Sequence, residues 1–287
     1  MQTFAWQGFE FKHPDGWECI RFSKNRSRGE CALADPSGRR MSVCWSAVAS
    51  GVDTKNLLQE AAQQLEKSDP KGKVAVREWK GPGRWSGFQW NGSEFLTVAL
   101  SYFAEAGYLL QAQFFSERKP DEAIQRSVLD SMRYQKSGTI WQWNAFGCRL
   151  ALPSEFEIDD CGIFPGRATL SFKIPGRKGQ KLRLDRLAVP ESQLKGRTLK
   201  HWFGTTLDDS RRFVASSEGE LRGHACLHAD LKPGRPTLAQ FLTRVSRDSK
   251  ATVWICEKEA RLYRTEWQGA TGSAPDFGRI VECCQHA

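Results

Sequence analysis

The chain has no C-x-x-C pair, no G-x-S-x-G, no Walker-type lysine loop and no H-E-x-x-H. The commonest zinc-knuckle, serine-hydrolase, nucleotide-binding and metalloprotease signatures are therefore absent. An active site assembled across the fold would still be invisible at this level. No apolar run approaches the roughly 20 residues that a membrane-spanning helix needs. The opening stretch, MQTFAWQGFEFKHPDGW, shows no basic region followed by an apolar core, so it does not read as a secretory signal. Nine cysteines, an odd number in no regular framework, read as thiols of a reducing compartment that mostly fill cores. The expected location is the cytoplasm.

What is present is a short stretch that occurs twice. Residues 8–18 read GFEFKHPDGWE and residues 147–157 read GCRLALPSEFE. Aligned without a gap, Pro14 falls on Pro153, Trp17 on Phe156 and Glu18 on Glu157. Each copy is an alternating strand, a proline turn and an aromatic that opens the next strand. A chain of 287 residues has room for two ordinary domains. The expected organisation is thus a tandem duplication, with a first copy over 1–137 and a diverged second copy over 138–287.

In the first copy, Phe4 to Lys12 and Trp17 to Phe22 read as a strand pair about the Pro14-Asp15-Gly16 turn. Met41, Val43 and Trp45 alternate as one buried face of a strand. Leu57, Leu58, Ala61, Ala62 and Leu65 recur at helical spacing. Strands then resume, with an Asn91-Gly92 hairpin signal. A closing helix starts at Pro120 and buries Ile124, Val128, Leu129 and Met132. In the second copy a helix is expected from about Gln193 or Thr198, with Leu199, Trp202, Phe203 and Leu207 on one face. Leu221 to Ala229 is expected as a strand, Leu238 to Arg247 as another, and Phe277, Ile280, Val281 and Cys284 as one face of a terminal helix. The fold class is α+β: two tandem domains, each an antiparallel sheet with two packed helices.

The P-x-x-[aromatic] turn, the mid-chain helix, the meander and a last helix reading SVLDSM (127–132) together resemble the PsbP/Mog-type fold. That group includes thylakoid PsbP proteins, Mog-type Ran-binding proteins, and DcrB-like and effector-associated chaperone domains. The resemblance covers Phe4 to Tyr134; in the second copy it is carried by Leu150 to Phe156 and the terminal helix. It implies a sheet with helices on its faces and a protein that binds other proteins rather than catalyses a reaction. It implies no ligand residues and no cofactor.

Net charge is +9, made of +3 from the first copy and +6 from the second. Ten basic and two acidic residues lie between Arg167 and Lys200. Arg177, Lys178, Lys181, Arg183 and Arg186 are the candidate contact residues for an acidic protein, a nucleic acid or an anionic surface. The residues between them are leucines, which suits a half-buried strand better than a base-stacking platform. The second candidate is His224, Cys226 and His228, which period two places on one strand face as imidazole and thiolate metal ligands. Neighbours two apart stand about 6.5–7 Å from one another, so three in a row rarely share one ion. The tail Cys283-Cys284-Gln285-His286 offers further donors. Two adjacent carboxylate pairs, Asp159-Asp160 and Asp208-Asp209, diverge on strand or helix and make no acid–base couple. The leading expectation is a non-catalytic accessory subunit, adaptor or chaperone with a protein partner. Nucleic-acid binding through 167–200 and metal binding at His224, Cys226 and His228 are the alternatives.

Overall fold

The structure is a computed structural model that describes residues 1–49, 52–68, 76–92, 94–117, 119–177, 179–207, 211–233, 249–269 and 275–284. Two compact units, Met1–Thr139 and Ile140–Ala287, divide the chain.

The first unit begins with a tight hairpin. β1 (Gln2–Trp6) and β2 (Phe9–His13) are joined by Gln7 and Gly8, both at positive φ (55° and 85°). Two successive left-handed residues match the twist of antiparallel strands, and glycine at the second carries no Cβ penalty. Phe4 to Lys12 is therefore two strands and not one. The Pro14 turn follows, closed by the Trp17 amide donating to the Pro14 carbonyl (3.1 Å). It hands the chain to a different sheet, so the expected pairing across the proline does not occur.

That sheet has seven antiparallel strands: β3 (Glu18–Phe22), β4 (Arg28–Asp35), β5 (Gly38–Ala47), β6 (Arg77–Lys80), β7 (Ser86–Asn91), β8 (Phe95–Phe103) and β9 (Tyr108–Ser116). Their order is β3-β4-β5-β9-β8-β7-β6. Alternation sorts its faces. Met41, Val43 and Trp45 share the face on which Phe9 meets Trp45 (5.7 Å) and Tyr108 (5.3 Å). On the other face Phe88, Trp90, Leu96 and Val98 receive Leu58, Ala61, Ala62 and Leu65 of α1 (Thr54–Ser68). α2 (Glu122–Asp130) is capped by Asp121, which accepts from the Ile124 amide, and buries Val128 and Leu129. β10 (Arg133–Tyr134) then pairs with β2.

The second unit has the same strand order. β11 (Ile140–Ala145) and β12 (Cys148–Pro153) form a hairpin about Phe146 and Gly147, again at positive φ (56° and 69°). The Phe156 amide donates to the Pro153 carbonyl (3.0 Å), as Trp17 does to Pro14. β13 (Glu157–Phe164), β14 (Arg167–Lys173), β15 (Lys181–Ala188), β16 (Arg211–Leu221), β17 (His224–Pro233), β18 (Ser249–Cys256) and β19 (Arg261–Gln268) run in the order β13-β14-β15-β19-β18-β17-β16. β20 (Val281–Glu282) pairs with β12. One face packs Trp143 on Phe172 (4.9 Å), while the other buries Leu227, Leu231 and Val253 under Trp202 and Phe203.

The α+β class with two packed helices per domain does not describe this protein, which is mostly strand with few, short helices. The expected mid-unit helix of the second unit is broken in two: α3 (Pro190–Leu194) stops where Lys195 and Gly196 turn left-handed, and Thr198 caps a fresh start for α4 (Leu199–Thr206). The terminal helix is one turn, α5 (Phe277–Ile280), because Val281 leaves helical geometry to pair with Leu150. β16 also takes Leu221 out of the expected strand, which starts at His224 beyond a turn at Arg222 and Gly223. The segment Leu238 to Arg247 lies outside the described residues, as do Asp208 and Asp209. Among the described residues, no helix is long and apolar enough to cross a membrane.

Candidate functional site

Among the described residues, the two seven-stranded sheets end on β3 and β6 and on β13 and β16. Three of these carry bulges, at Ile20, Asp159 and Val214. Bulging twists an edge away from further pairing, yet Ile20 and Val214 stay exposed on it. The most apolar edge is the end of β13, where Ile163 is exposed and Phe164 is 65% exposed. The Pro165-Gly166 turn that follows is tied to the end of β15 by the Ala188 amide donating to the Gly166 carbonyl (2.7 Å). Next along is Val189, 53% exposed and left-handed (φ 52°, ψ 69°). A β-branched residue in that region is a steric outlier. The tip thus displays three apolar side chains beside the half-exposed Arg167.

The basic strand is held internally. Lys181 Nζ contacts Asp159 (2.6 Å), which Lys173 also reaches (2.9 Å). Hydrogen bonds from Lys181 and then Lys173 hold the Asp159 carboxyl below its ordinary range. Arg183 forms two hydrogen bonds of 2.9 Å with Asp185. Burial alone would raise the Asp185 carboxyl; Arg183, with Thr169 and Arg264, outweighs it and keeps the group low. Arg186 donates to the Tyr263 hydroxyl (3.1 Å) and faces Glu259 (3.6 Å), and Arg177 faces Glu155 (3.6 Å). Lys178 lies outside the described residues. A cavity of about 260 Å³ opens over Arg183, Asp185, Arg264 and Trp202. Each described member of the expected basic patch has a carboxylate partner, an arrangement unlike a free cationic surface.

Along β17, Cys226 and His228 come together while His224 faces elsewhere. Cys226 Sγ lies 3.2 Å from His228 Nε2, and His228 Nδ1 lies 3.0 Å from Thr252 Oγ1. His224 instead points its Nε2 at Cys283 Sγ (3.3 Å) and Cys284 Sγ (3.4 Å). The β17–β18 ladder ends at the Cys226–Trp254 pair, and one antiparallel step of two residues further on brings His224 level with Cys256. The donor atoms of His224, Cys256, Cys283 and Cys284 all lie within 4.8 Å of one another. Gln285 and His286 lie outside the described residues. Cys256 was missed as a donor because only the strand register shows that it stands opposite His224.

No family profile matches the chain, and no curated protein sequence matches it. Solved structures do resemble it. The cyanobacterial PsbP, CyanoP, of Synechocystis sp. PCC 6803 matches at a TM-score of 0.35 and 13% identity, over 47% of this chain and 82% of that one. The apo immunity protein TplEi of T6SS from Pseudomonas aeruginosa matches at 0.36 and 9%, over 91% of this chain and 90% of that one. A chain of the Tle4–Tli4 complex matches at 0.35 and 9%, with the same coverage.

Proposed function

We propose that the chain is a non-catalytic protein-interaction module, built as a tandem duplication and working as an accessory subunit, adaptor or chaperone of a partner in the cytoplasm. The observation that carries this reading is the tip formed by Ile163, Phe164 and Val189. Ile163 and Phe164 are exposed at the end of an outer strand of the sheet, and Val189 is exposed just past β15; exposed large apolar side chains at the end of a sheet suit a contact surface. The common strand order of the two units supports the duplication, and the second copy is the specialised one, since the tip lies there. Nine free thiols suit a reducing compartment.

The test is a tagged pull-down from the native organism at modest salt, with and without nuclease, using the parent chain and Phe164→Asp. A stoichiometric protein that survives nuclease and is lost with Phe164→Asp supports the reading. A partner retained by Phe164→Asp removes the tip from the interface. Recovery of nucleic acid, with every protein lost on digestion, replaces the reading with nucleic-acid binding. Steep salt dependence on bare DNA or RNA would then be expected.

A further inference from the structure

Cysteine used as core filler presents its sulfur to carbon; three sulfurs and an imidazole facing one another are a different arrangement. Cys256 and Cys283 are 0% and 1% exposed, Cys284 is buried, and His224 is half-buried at the start of β17. The four donors come from three places in the second unit: the paired ends of β17 and β18, and the bend that follows β20. In the first unit the end of the corresponding strand, Phe103, packs edge-on against Trp85 (6.0 Å), an aromatic plug.

Distances decide what such a cluster fits. Tetrahedral zinc, with Zn–S about 2.3 Å and Zn–N about 2.0–2.1 Å, sets donor–donor edges of about 3.5–3.8 Å. The measured N···S separations of 3.3 and 3.4 Å are near that edge, and the outer limit of 4.8 Å needs only rotamer-scale closure. We infer that His224, Cys256, Cys283 and Cys284 form a closed Cys3His site for a borderline-soft divalent ion of the zinc class. Four protein donors leave no open position, so the site is structural: it pins the bend after β20 to the β17–β18 end.

The surroundings agree with the charge this creates. Binding one Zn²⁺ through three thiols and a neutral imidazole releases three protons and leaves the site with a net charge of −1. Arg149 donates to the Cys283 carbonyl, and Arg261 stands directly opposite Cys256 across the β18–β19 ladder. The Glu259 amide donates to the Cys256 sulfur, as amides do to metal-bound thiolates.

The experiment uses full-length, reduced protein prepared without chelator, loaded with Zn²⁺ or Co²⁺ and desalted. One equivalent of metal is expected, with a tetrahedral, thiolate-ligated cobalt spectrum. Metal should protect Cys256, Cys283 and Cys284 from alkylation, mapped by mass spectrometry, and leave Cys226 as reactive as before. Arg149→Gln should weaken binding by about 10–100-fold, while His228→Ala leaves it unchanged. Absence of retained metal together with an alkylation pattern that metal does not alter would overturn the site. So would full retention by the double variant Cys283→Ser/Cys284→Ser. Because the alkylation map needs no variant, misfolding of a substituted chain cannot hide the answer.

Discussion

Val189 holds a left-handed backbone that costs a β-branched residue on the order of 1–3 kcal/mol. Asparagine tolerates that region, so Val189→Asn is expected to raise stability by about 1 kcal/mol in denaturant melts. If the tip is a contact surface, the same substitution weakens partner capture. Stability and capture moving together would instead mark a purely structural residue. Asp185 makes the opposite kind of statement. Its carboxylate is 3% exposed and anchors Arg183, Thr169 and Arg264. Asp185→Ala removes the partner of the partly exposed Arg183, while Arg264 keeps Glu266 (2.7 Å), and should cost about 1–3 kcal/mol. Its pH signature follows from the depressed carboxyl. The stabilisation is complete above the unfolded value of about 3.9 and disappears as pH falls through the lower folded one. A wild-type acid melt that is steeper than that of Asp185→Asn over this window would show it; coincident curves would refute it.

Among the elements, β7 is the one least able to change. Gly87 faces Ala99 on β8, and a Cβ there would stand 1.9 Å from the Val98 carbonyl oxygen. Gly87→Ala should destabilise by about 2 kcal/mol or more, read as a lower midpoint in urea. An unchanged midpoint would mean that β7 and β8 separate at little cost. How far elements could be read from sequence depended on what marks their ends. The Gly8 and Gly147 repeat was legible because both copies keep the glycine and proline that their turns demand. The first hairpin was not, since Gln7 at positive φ is no turn residue by type. The inner face of α1 showed as a period, whereas β16, reading RRFVASSEGEL at a sheet edge, has no buried face to alternate. A helical spacing of Phe277, Ile280, Val281 and Cys284 was real but irrelevant once Val281 found Leu150. The cluster at His224 was half visible: His224, Cys283 and Cys284 were legible as donors, whereas Cys256 and the meeting of the four were fixed by cross-strand register and by a bend, neither of which leaves a local pattern.

For each unit as a whole, the shared strand order puts the longest connection at the middle of the sheet. Closing β5 on β9 brings Met41 to Phe114, and closing β15 on β19 brings Lys181 to Gln268. The hairpins on either side are local; the central ladder is not. Loop-closure entropy must be spent before those pairs return any energy, so each unit should fold on the order of milliseconds to seconds. Stopped-flow refolding with tryptophan fluorescence is the check, and a microsecond phase carrying the full amplitude would contradict it. During that interval β5 and β15, later paired on both sides, are open edges that carry Met41, Val43 and Trp45 or Leu182, Leu184 and Leu187. A newly made chain is therefore most prone to aggregate through the strands that the finished protein hides, and refolding yield should fall with protein concentration.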